Sequence, residues 1–319
     1  MENNKLNAST LLSVMIPYYN RFDLLSEALH SVMSQRIEEK MEVWVIDDCS
    51  TVEGVSSVLE LFPKGSILYY RQPQNVGQIN NLNKCIELAN GELIHILHCD
   101  DKVLPGFYST IIEAYSEHKE AGAFFTRNNY ITHFGNIICE SEALMTKSGY
   151  IENWFEKIAV SQLIQTPSIV VRRDVYGAIG NFNKNLTWTE DWEMWVRISK
   201  TYPMFYINEV LAEYRNANNS NSENSFKTGR FIDDLRRAIN VNFIHHQSKF
   251  LKRKSILKYS SYILTTIYML RKEKKINSMT FIKLLVKFNK NNFSIVFPLI
   301  QFYSIYIKSF KTKMLSIWR

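Results

Sequence analysis

Short apolar runs alternate with segments of helical spacing through the N-terminal third of this chain. The segment from Phe22 to Gln35 carries apolar residues with the period of an amphipathic helix, and a similar segment runs from Ile79 to Ala89. This alternation predicts an α/β fold with a mostly parallel sheet and helices on both of its faces. Four apolar runs predict the strands, at 11–16, 41–46, 67–70 and 93–97.

The residues that follow the predicted strands are candidates for a ligand site. In an open α/β sheet, ligands bind outside the carboxyl ends of the strands. The first strand is predicted to stop at Pro17, because proline has no N–H for the ladder and restricts the residue before it. The residues brought to this edge of the sheet are Tyr19, Asp48, Asn75 and Asp100.

The fourth strand runs directly into two adjacent carboxylates, Asp100 and Asp101. Adjacent carboxylates at this edge suit a hard divalent cation, which in turn holds phosphate oxygens. The same pair is equally compatible with a helix N-cap, since Asp is a favoured cap residue. The sequence has no GxGxxG after the first strand and no GxxxxGK[ST] motif, which argues against ordinary dinucleotide and P-loop nucleotide binding. Phosphate charge would then be met by a metal ion on Asp100.

A second acidic pair, Glu190–Asp191, follows Thr189 at the start of a predicted helix. A threonine followed by acids in the first turn is a capping arrangement. A carboxylate held at a helix start is also well placed to act as a base, so both interpretations can hold together. Between the two acidic pairs the pattern predicts a helix and two strands, at 105–118, 123–125 and 165–173.

The basic charge is concentrated in the C-terminal third. Residues 227–319 carry 20 Lys and Arg against 3 Asp and Glu, whereas the whole chain has a net charge of only +7, so the residues before 227 are acidic. We therefore predict two domains, a catalytic domain at 1–226 and a helical basic region at 227–319. Such an asymmetry indicates a polyanionic partner.

The C-terminal region is predicted to be helical, after a polar loop at 216–224. Apolar residues share one helical face at 231–239, and a second apolar helix flanked by lysines is predicted at 276–288. The uncharged stretch 291–307 contains polar residues and Pro298 and is too short for a membrane span. These features favour helices lying on an anionic bilayer, although the helices could also pack on the catalytic domain. Nucleic acid is disfavoured, because no known binding module accompanies the charge.

The cysteines and the first ten residues bear on the compartment. Cys49, Cys85, Cys99 and Cys139 form no CxxC pair and no metal-binding spacing, which favours reduced thiols in a cytoplasmic setting. The polar N-terminus lacks the apolar core of a signal peptide. We therefore expect a cytoplasmic protein.

Six short motifs follow one another along the chain. They are SVMIPYYNR at 13–21, VIDDCS at 45–50, NVG at 75–77, NGE at 90–92, CDD with Pro105 at 99–105, and TEDW at 189–192. In this order and spacing, the chain from Leu11 to Ser220 resembles the family 2 inverting glycosyltransferases. That resemblance implies the GT-A fold, a Rossmann-like, mostly parallel sheet with helices on both faces, and transfer of a sugar from a nucleotide donor.

The resemblance implies a role for each matching residue. Tyr19 is expected to stack on the base of the donor and Asp48 to accept its N–H. Asp100 resembles the metal-binding acid of the family's DxD motif, which holds Mn²⁺ or Mg²⁺ against the diphosphate, and His98 takes the first position of that motif. Asp191 resembles the catalytic base. The other residues expected at the nucleotide are Pro17, Asn20, Arg21, Asn75, Asn83 and Asp101.

The expected chemistry also follows from general principles. Breaking the bond between a sugar and a diphosphate places negative charge on the leaving oxygens, which a divalent ion stabilises. The incoming hydroxyl attacks from the opposite face and loses its proton to one carboxylate. One base without a covalent nucleophile means inversion at the anomeric carbon.

Three positions depart from the family pattern. His98 replaces the first acid of DxD, Leu82 stands where many members have arginine, and Ala217 replaces the histidine of a late Tyr-Arg-x-His element. A neutral imidazole is a competent ligand, for Mn²⁺ more than for Mg²⁺. The departures therefore bear on metal geometry and affinity more than on the fold.

The expected activity is transfer of a hexose, with glucose or galactose favoured, from a UDP-sugar to a lipid-linked saccharide. Low glycine and abundant Asn, Lys and Ile resemble bacterial enzymes that extend undecaprenyl-diphosphate sugars in O-antigen or capsule synthesis, at the inner face of the cytoplasmic membrane. One alternative is a catalytically silent GT-A scaffold that binds nucleotide or sugar, which the retained Asp100 and Asp191 argue against. A nucleotidyltransferase would need a loop rich in glycine and basic residues where 17–21 stands.

Overall fold

The computed structural model describes residues 10–37, 40–216, 221–244 and 248–291. The described residues form two compact units. They fall within Met1–Phe155 with Leu163–Asn218, and within Glu156–Gln162 with Asn219–Arg319. The predicted domain division at residue 226 stays a prediction, and it lies inside a helix of the second unit, Asn221–Thr228.

One ten-stranded sheet organises the first unit. The strands are β1 Leu12–Tyr18, β2 Met41–Asp47, β3 Leu68–Arg71, β4 Leu93–Ile96, β5 Lys102–Val103, β6 Ala123–Thr132, β7 Ile137–Glu140, β8 Gly149–Tyr150, β9 Ile169–Arg172 and β10 Met204–Asn216. Their order is β3-β2-β1-β4-β9-β6-β10-β5, with β7 beside β6 and β8 beside β10. The first four strands are parallel, whereas β9 runs antiparallel to β4 and β6. The predicted α/β fold is confirmed.

Eleven helices accompany the sheet in the described residues. They are α1 Phe22–Met33, α2 Val55–Leu59, α3 Gln78–Leu88, α4 Phe107–Glu117, α5 Trp154–Val160, α6 Arg173–Ile179, α7 Glu190–Ser199, α8 Asn221–Thr228, α9 Arg230–Asn242, α10 Lys249–Lys272 and α11 Ser278–Lys290. Of the apolar residues that predict α1, Leu25, Ala28, Leu29 and Val32 are buried and Met33 is partly buried. Among the described helices, none has the length and apolar character needed to span a bilayer.

The prediction that β1 stops at Pro17 is wrong, because the strand continues to Tyr18. Successive residues of a strand direct their backbone groups to opposite neighbours. The Met15 carbonyl accepts from Leu97 on the β4 side, and the Tyr18 carbonyl accepts from Asp48 on the β2 side. Pro17 therefore faces the β4 side, where the ladder of β1 with β4 has already ended at Met15. Its missing N–H interrupts no ladder bond.

The sheet is longer on its β6–β10 side than the apolar pattern predicts. β6 continues past Phe125 through polar residues to Thr132, and β10 is not predicted at all. The two strands pair in parallel along almost their whole length, with register shifts between Ile207 and Ala212. Their mutual pairing supports strand structure where side-chain polarity gives no period-two signal. The predicted strand at 165–173 is shortened, because a 3₁₀ turn at Thr166–Ser168 precedes β9.

The described residues of the C-terminal region are mostly helical, as predicted. The predicted apolar face of α9 is buried, and α11 buries Leu284 and Phe288. The predicted loop at 216–224 is wrong for residues 221–224, because these residues form the first turn of α8. Glu223 and Lys227, one helical turn apart, form an ion pair of 2.9 Å that stabilises this helix. Residues 217–220 and 292–307, which belong to the predicted loop and the uncharged stretch, lie outside the described residues.

The NGE motif closes the turn that leads into β4. The buried N–H of Gly91 donates to Ser13 Oγ at 2.7 Å, and Asn90 N–H donates to Glu42 at 2.8 Å. A Cβ at Gly91 would lie 2.6 Å from Ser13 N and 2.8 Å from the Leu12 carbonyl carbon. Glycine is required here because the backbone of β1 passes too close for any side chain.

We expect Gly91→Ala to lower the free energy of unfolding by about 2–3 kcal/mol, because the added methyl group meets backbone atoms held by the sheet. Gly177→Ala in α6 is the matched control, since nothing lies within 4 Å of its added Cβ. That control should raise the free energy of unfolding by about 0.5–1 kcal/mol. Urea denaturation measures both values, and equal stability of the two variants would contradict the packing argument.

Candidate active site

The turn after β4 brings three candidate metal ligands together. The N–H of Asp101 donates to the His98 carbonyl at 3.0 Å, which closes the turn. One ligand atom from each of His98, Asp100 and Asp101 lies within 4.8 Å of the other two. We call these three residues the acid turn. His98 and Asp100 are the two residues predicted to bind the metal. The structure adds Asp101 to them as a third candidate ligand, whereas the family resemblance assigns Asp101 to the nucleotide.

His98 has the neutral imidazole that coordination of a metal ion requires. Burial lowers the pKa of its imidazole, although the negative charge of Asp100 acts in the opposite direction. A lowered pKa leaves the imidazole neutral near pH 7, with one ring nitrogen free of a proton to donate its lone pair. A histidine at the first position of the DxD pattern therefore keeps a coordinating group there.

Asp101 is the most buried member of the acid turn, with 2% of its surface exposed. Its Oδ1 accepts from the N–H of Arg215 at 2.8 Å, whereas its buried Oδ2 has no hydrogen-bond partner among the described residues. Burial, together with the charge of Asp100, raises the pKa of Asp101 well above its usual range. A buried carboxylate oxygen left without a donor is costly, and a cation would satisfy it. The acid turn therefore fits a divalent ion.

Arg215 holds the acid turn against the rest of the sheet. Besides its backbone bond to Asp101, its Nε donates to the Asp100 carbonyl at 2.7 Å. Its two terminal nitrogens donate to the His133 carbonyl and to Glu27, each at 2.7 Å. The side chain is almost completely buried. It therefore joins the acid turn to α1 and to the turn between β6 and β7.

A second cation continues this network. Lys102, directly after the acid turn, lies 3.0 Å from Glu213 and 3.5 Å from Glu27. Two cations and two carboxylates therefore alternate beside the acid turn. The two positive and two negative charges of this network balance, and the charge of Arg215 also acts on Asp101, where burial outweighs it.

The ends of β1 and β2 are tied together by Asn20, which adopts a left-handed φ of 54°. Its Oδ1 accepts from the N–H groups of Thr51 and Val52 at 2.8 and 3.0 Å. Beside it, Tyr19 exposes 44% of its surface, as a ring available for stacking must. The predicted pocket residues Pro17 and Arg21 are half-buried on either side. The structure thus brings these four neighbouring residues to the carboxyl edge of the sheet.

Asp48 holds the loop between β3 and α3. Its two carboxylate oxygens accept from the N–H groups of Val76 and Gly77 at 2.7 and 2.9 Å. The side chain of Asn75 donates to the Asp48 carbonyl at 3.1 Å. Burial raises the pKa of Asp48 despite the two backbone donors, and the charge of Asp47 adds to this. The predicted neighbours Asp48 and Asn75 are therefore in contact.

Asp191 occupies the first turn of α7, where both interpretations of the sequence place it. It is half-buried; its Oδ1 accepts from Trp192 N–H at 2.6 Å, and its Oδ2 lies 3.5 Å from Thr166 Oγ1. Glu190 beside it is buried and accepts from the side chain of Gln78 at 2.8 Å. Since Gln78 follows Gly77, the start of α7 is joined to the loop that Asp48 holds.

Residues 13–180 match the sequence model of glycosyl transferase family 2. This match covers more than half of the chain. The chain belongs to this family. Its resemblance to the GT-A glycosyltransferases, inferred from six motifs, is therefore confirmed.

Two relatives and one solved structure are similar to this chain. The putative teichuronic acid biosynthesis glycosyltransferase TuaG of Bacillus subtilis is 27% identical over 70% of this chain and 86% of its own length. A GalNAc(5)-diNAcBac-PP-undecaprenol β-1,3-glucosyltransferase of Campylobacter jejuni is 31% identical over 43% of this chain and 41% of its own. The crystal structure of S. aureus TarS 1–349 with UDP-GlcNAc has a TM-score of 0.65 and 16% identity, over 88% of this chain and 81% of that one. The last similarity concerns the fold alone.

Two residues of this family 2 chain make contacts that the sequence does not predict. Asn83 turns its amide to the backbone of Phe182, donating at 3.2 Å and accepting at 2.8 Å. These contacts make it a residue that positions the segment before α7, and its contact with the nucleotide stays a prediction. Arg215 belongs to a Tyr-Arg motif that is recognisable in the sequence. Its contact with the acid turn is apparent only from the fold, because its partners lie more than 80 residues away in the sequence.

We expect Arg215→Lys to weaken metal-dependent UDP binding by about tenfold, because residues that orient metal ligands typically contribute that much. A lysine keeps the charge but cannot serve the Asp100 carbonyl, the His133 carbonyl and Glu27 at once. Isothermal titration of UDP with and without Mn²⁺ measures the effect. Arg127→Lys is the control, since Arg127 bonds to Ser141 and Glu140 and to no residue of the acid turn. An equal loss in both variants would show a general effect on stability.

Proposed function

We propose that this chain is a metal-dependent, inverting hexosyltransferase that uses a UDP-sugar donor and a lipid-linked saccharide acceptor. The observation that carries the proposal is the acid turn, where the buried Oδ2 of Asp101 lies beside Asp100 and His98 and has no hydrogen-bond partner in the part of the chain that the structure describes. A nucleotide diphosphate presents the charge that such a cation site requires. Membership of family 2 supplies the class of reaction.

The metal proposed here is Mn²⁺, with Mg²⁺ as the alternative. His98, Asp100 and Asp101 would hold the ion, which would supply Lewis-acid stabilisation of the diphosphate leaving group. An imidazole ligand suits Mn²⁺ better than Mg²⁺, because Mg²⁺ strongly prefers oxygen ligands and retains its waters.

The remaining steps are assigned to side chains of the chain itself. Tyr19 would stack on the uracil, and Asp48, whose carboxylate is fixed by two backbone donors, would accept the N–H of the base. Asp191 would take the proton of the acceptor hydroxyl as that hydroxyl attacks the anomeric carbon. Its accessibility relative to the buried Glu190 supports this choice between the two adjacent acids.

The acceptor and the pathway are proposed from the relatives. The Campylobacter jejuni protein is named for a glucosyl transfer to an undecaprenol-linked saccharide, and TuaG for teichuronic acid synthesis. By analogy, we propose a glucosyl or galactosyl transfer to an undecaprenyl-diphosphate saccharide in O-antigen or capsule assembly. The basic second unit would then hold the enzyme at the cytoplasmic face of the membrane, next to an anionic acceptor.

A silent GT-A domain that binds nucleotide as a scaffold is the second candidate. The replacement of an acid by His98, and of the late histidine by Ala217, favours this alternative. Both candidates predict UDP binding. They differ in turnover, which a panel of UDP-hexoses with synthetic diphosphate-lipid acceptors tests directly, first with Mn²⁺ and then with EDTA.

We expect Asp191→Asn to lower kcat by about 10²–10⁴-fold, because general-base catalysis contributes that much, and to change UDP affinity by less than about twofold. Radiometric transfer and UDP titration measure the two quantities. Asp174→Asn is the control, since Asp174 pairs with Arg172 at the start of α6. Full activity of Asp191→Asn would refute its role as the base.

We expect Asp100→Ala to abolish the dependence of UDP binding on metal, because it removes one of three ligands. His98→Asp should shift the preference from Mn²⁺ towards Mg²⁺, since it exchanges an imidazole for an oxygen ligand. Thermal shift with each metal alone gives a readout that needs no turnover. An unchanged metal response in Asp100→Ala would remove the acid turn as the metal site.

A further inference from the structure

Helix α11 is apolar on two opposite faces. One face packs within the second unit through Leu284 and Phe288, which are 3% and 1% exposed. On the other, Met279, Ile282 and Val286 are 67%, 59% and 49% exposed. A helix on the surface of a soluble domain normally turns polar residues to solvent. The outer apolar side chains of α11 therefore need a different explanation.

The exposed side chains form a narrow stripe. At 100° per residue, five positions fall within an arc of about 100°, roughly opposite Leu284 and Phe288. We call them the outer stripe, which consists of Met279, Ile282, Lys283, Val286 and Lys290. Three apolar side chains and two lysines thus share one line of the helix.

The positive charge of α10 and α11 favours an anionic partner for the outer stripe. Residues 249–291 carry 12 Lys and Arg against a single acid, Glu273. Glu273 pairs with Lys275, and Lys287 pairs with Asp233 across the unit. Lys283 and Lys290 have no ion pair among the described residues, so their charge is available to an external anion.

We propose that the outer stripe is the membrane-contacting surface of this protein, and that its partner is an anionic lipid bilayer. The three apolar side chains enter the boundary between headgroups and acyl chains, while Lys283 and Lys290 meet lipid phosphates. A second copy of the chain fits less well, because three side chains offer far less area than a stable dimer buries. This inference deepens the proposed function, since it names the surface that would bring the enzyme to its lipid-linked acceptor.

The test measures binding of the full chain to sedimented vesicles, either phosphatidylglycerol with phosphatidylcholine or phosphatidylcholine alone. The wild type should bind the anionic vesicles preferentially and lose affinity as salt rises. A triple variant with Met279→Gln, Ile282→Gln and Val286→Gln should bind the anionic vesicles about tenfold or more weakly. Lys283→Gln with Lys290→Gln should lose about tenfold at low salt and reduce the salt dependence.

The control exchanges exposed apolar residues outside the second unit. Ile137→Gln with Ile138→Gln alters β7, where these side chains are 62% and 53% exposed, and should leave vesicle binding unchanged. Circular dichroism and thermal unfolding verify that each variant is folded. Because the altered stripe residues are exposed, the triple variant should melt like the wild type.

Three outcomes would overturn the inference. The triple variant could bind anionic vesicles as strongly as the wild type does, or the wild type could bind neutral and anionic vesicles equally. The third outcome is that the triple variant converts a dimer to a monomer while its vesicle binding persists. Light scattering decides the last of these. Transfer to a short-chain, water-soluble diphosphate acceptor separates this inference from the proposed function. The stripe variants should transfer sugar to this soluble acceptor at the wild-type rate. If the wild type shows no transfer, the proposed enzymatic function is contradicted, but the result on vesicle binding is unaffected.

Discussion

A buried guanidinium sets the position of the acid turn in the candidate active site. Two adjacent carboxylates in a partly desolvated turn repel each other and lose hydration, so a chain that carries them needs a rigid support. Arg215 provides it from β10, through its own N–H and through three side-chain bonds. Because one of these reaches α1 and another the turn after β6, the acid turn cannot shift without disturbing both of these elements.

The sequence anticipates those parts of the site that depend on local periodicity. Parallel strands separated by helices have one carboxyl edge, and this is why Asp48, Asn75 and the acid turn could be assigned to it from the order of elements alone. Asn75 does contact Asp48, and the acid turn does bring together three candidate metal ligands. The roles of Tyr19 and Asp191 depend on substrates, so the positions of these residues alone do not determine their chemistry.

The parts that could not be anticipated depend on partners distant in sequence. Whether Pro17 ends β1 is decided by which neighbour its backbone faces, and β10 forms because β6 lies beside it. Asn83 looks like any exposed polar residue of a helix until Phe182 is placed against its amide. Arg215 is visible as part of a motif, but the motif does not say that it serves a turn more than a hundred residues earlier.

The bond between Gln78 and Glu190 gives the site a mechanical property. Gln78 is the first residue of α3 and follows the loop whose N–H groups donate to the Asp48 carboxylate. Glu190 precedes Asp191, the proposed base, in α7. A shift of the loop that Asp48 holds is therefore transmitted through this bond to the start of α7, where Asp191 lies. Two segments that are 112 residues apart in the sequence at this bond are thus mechanically coupled.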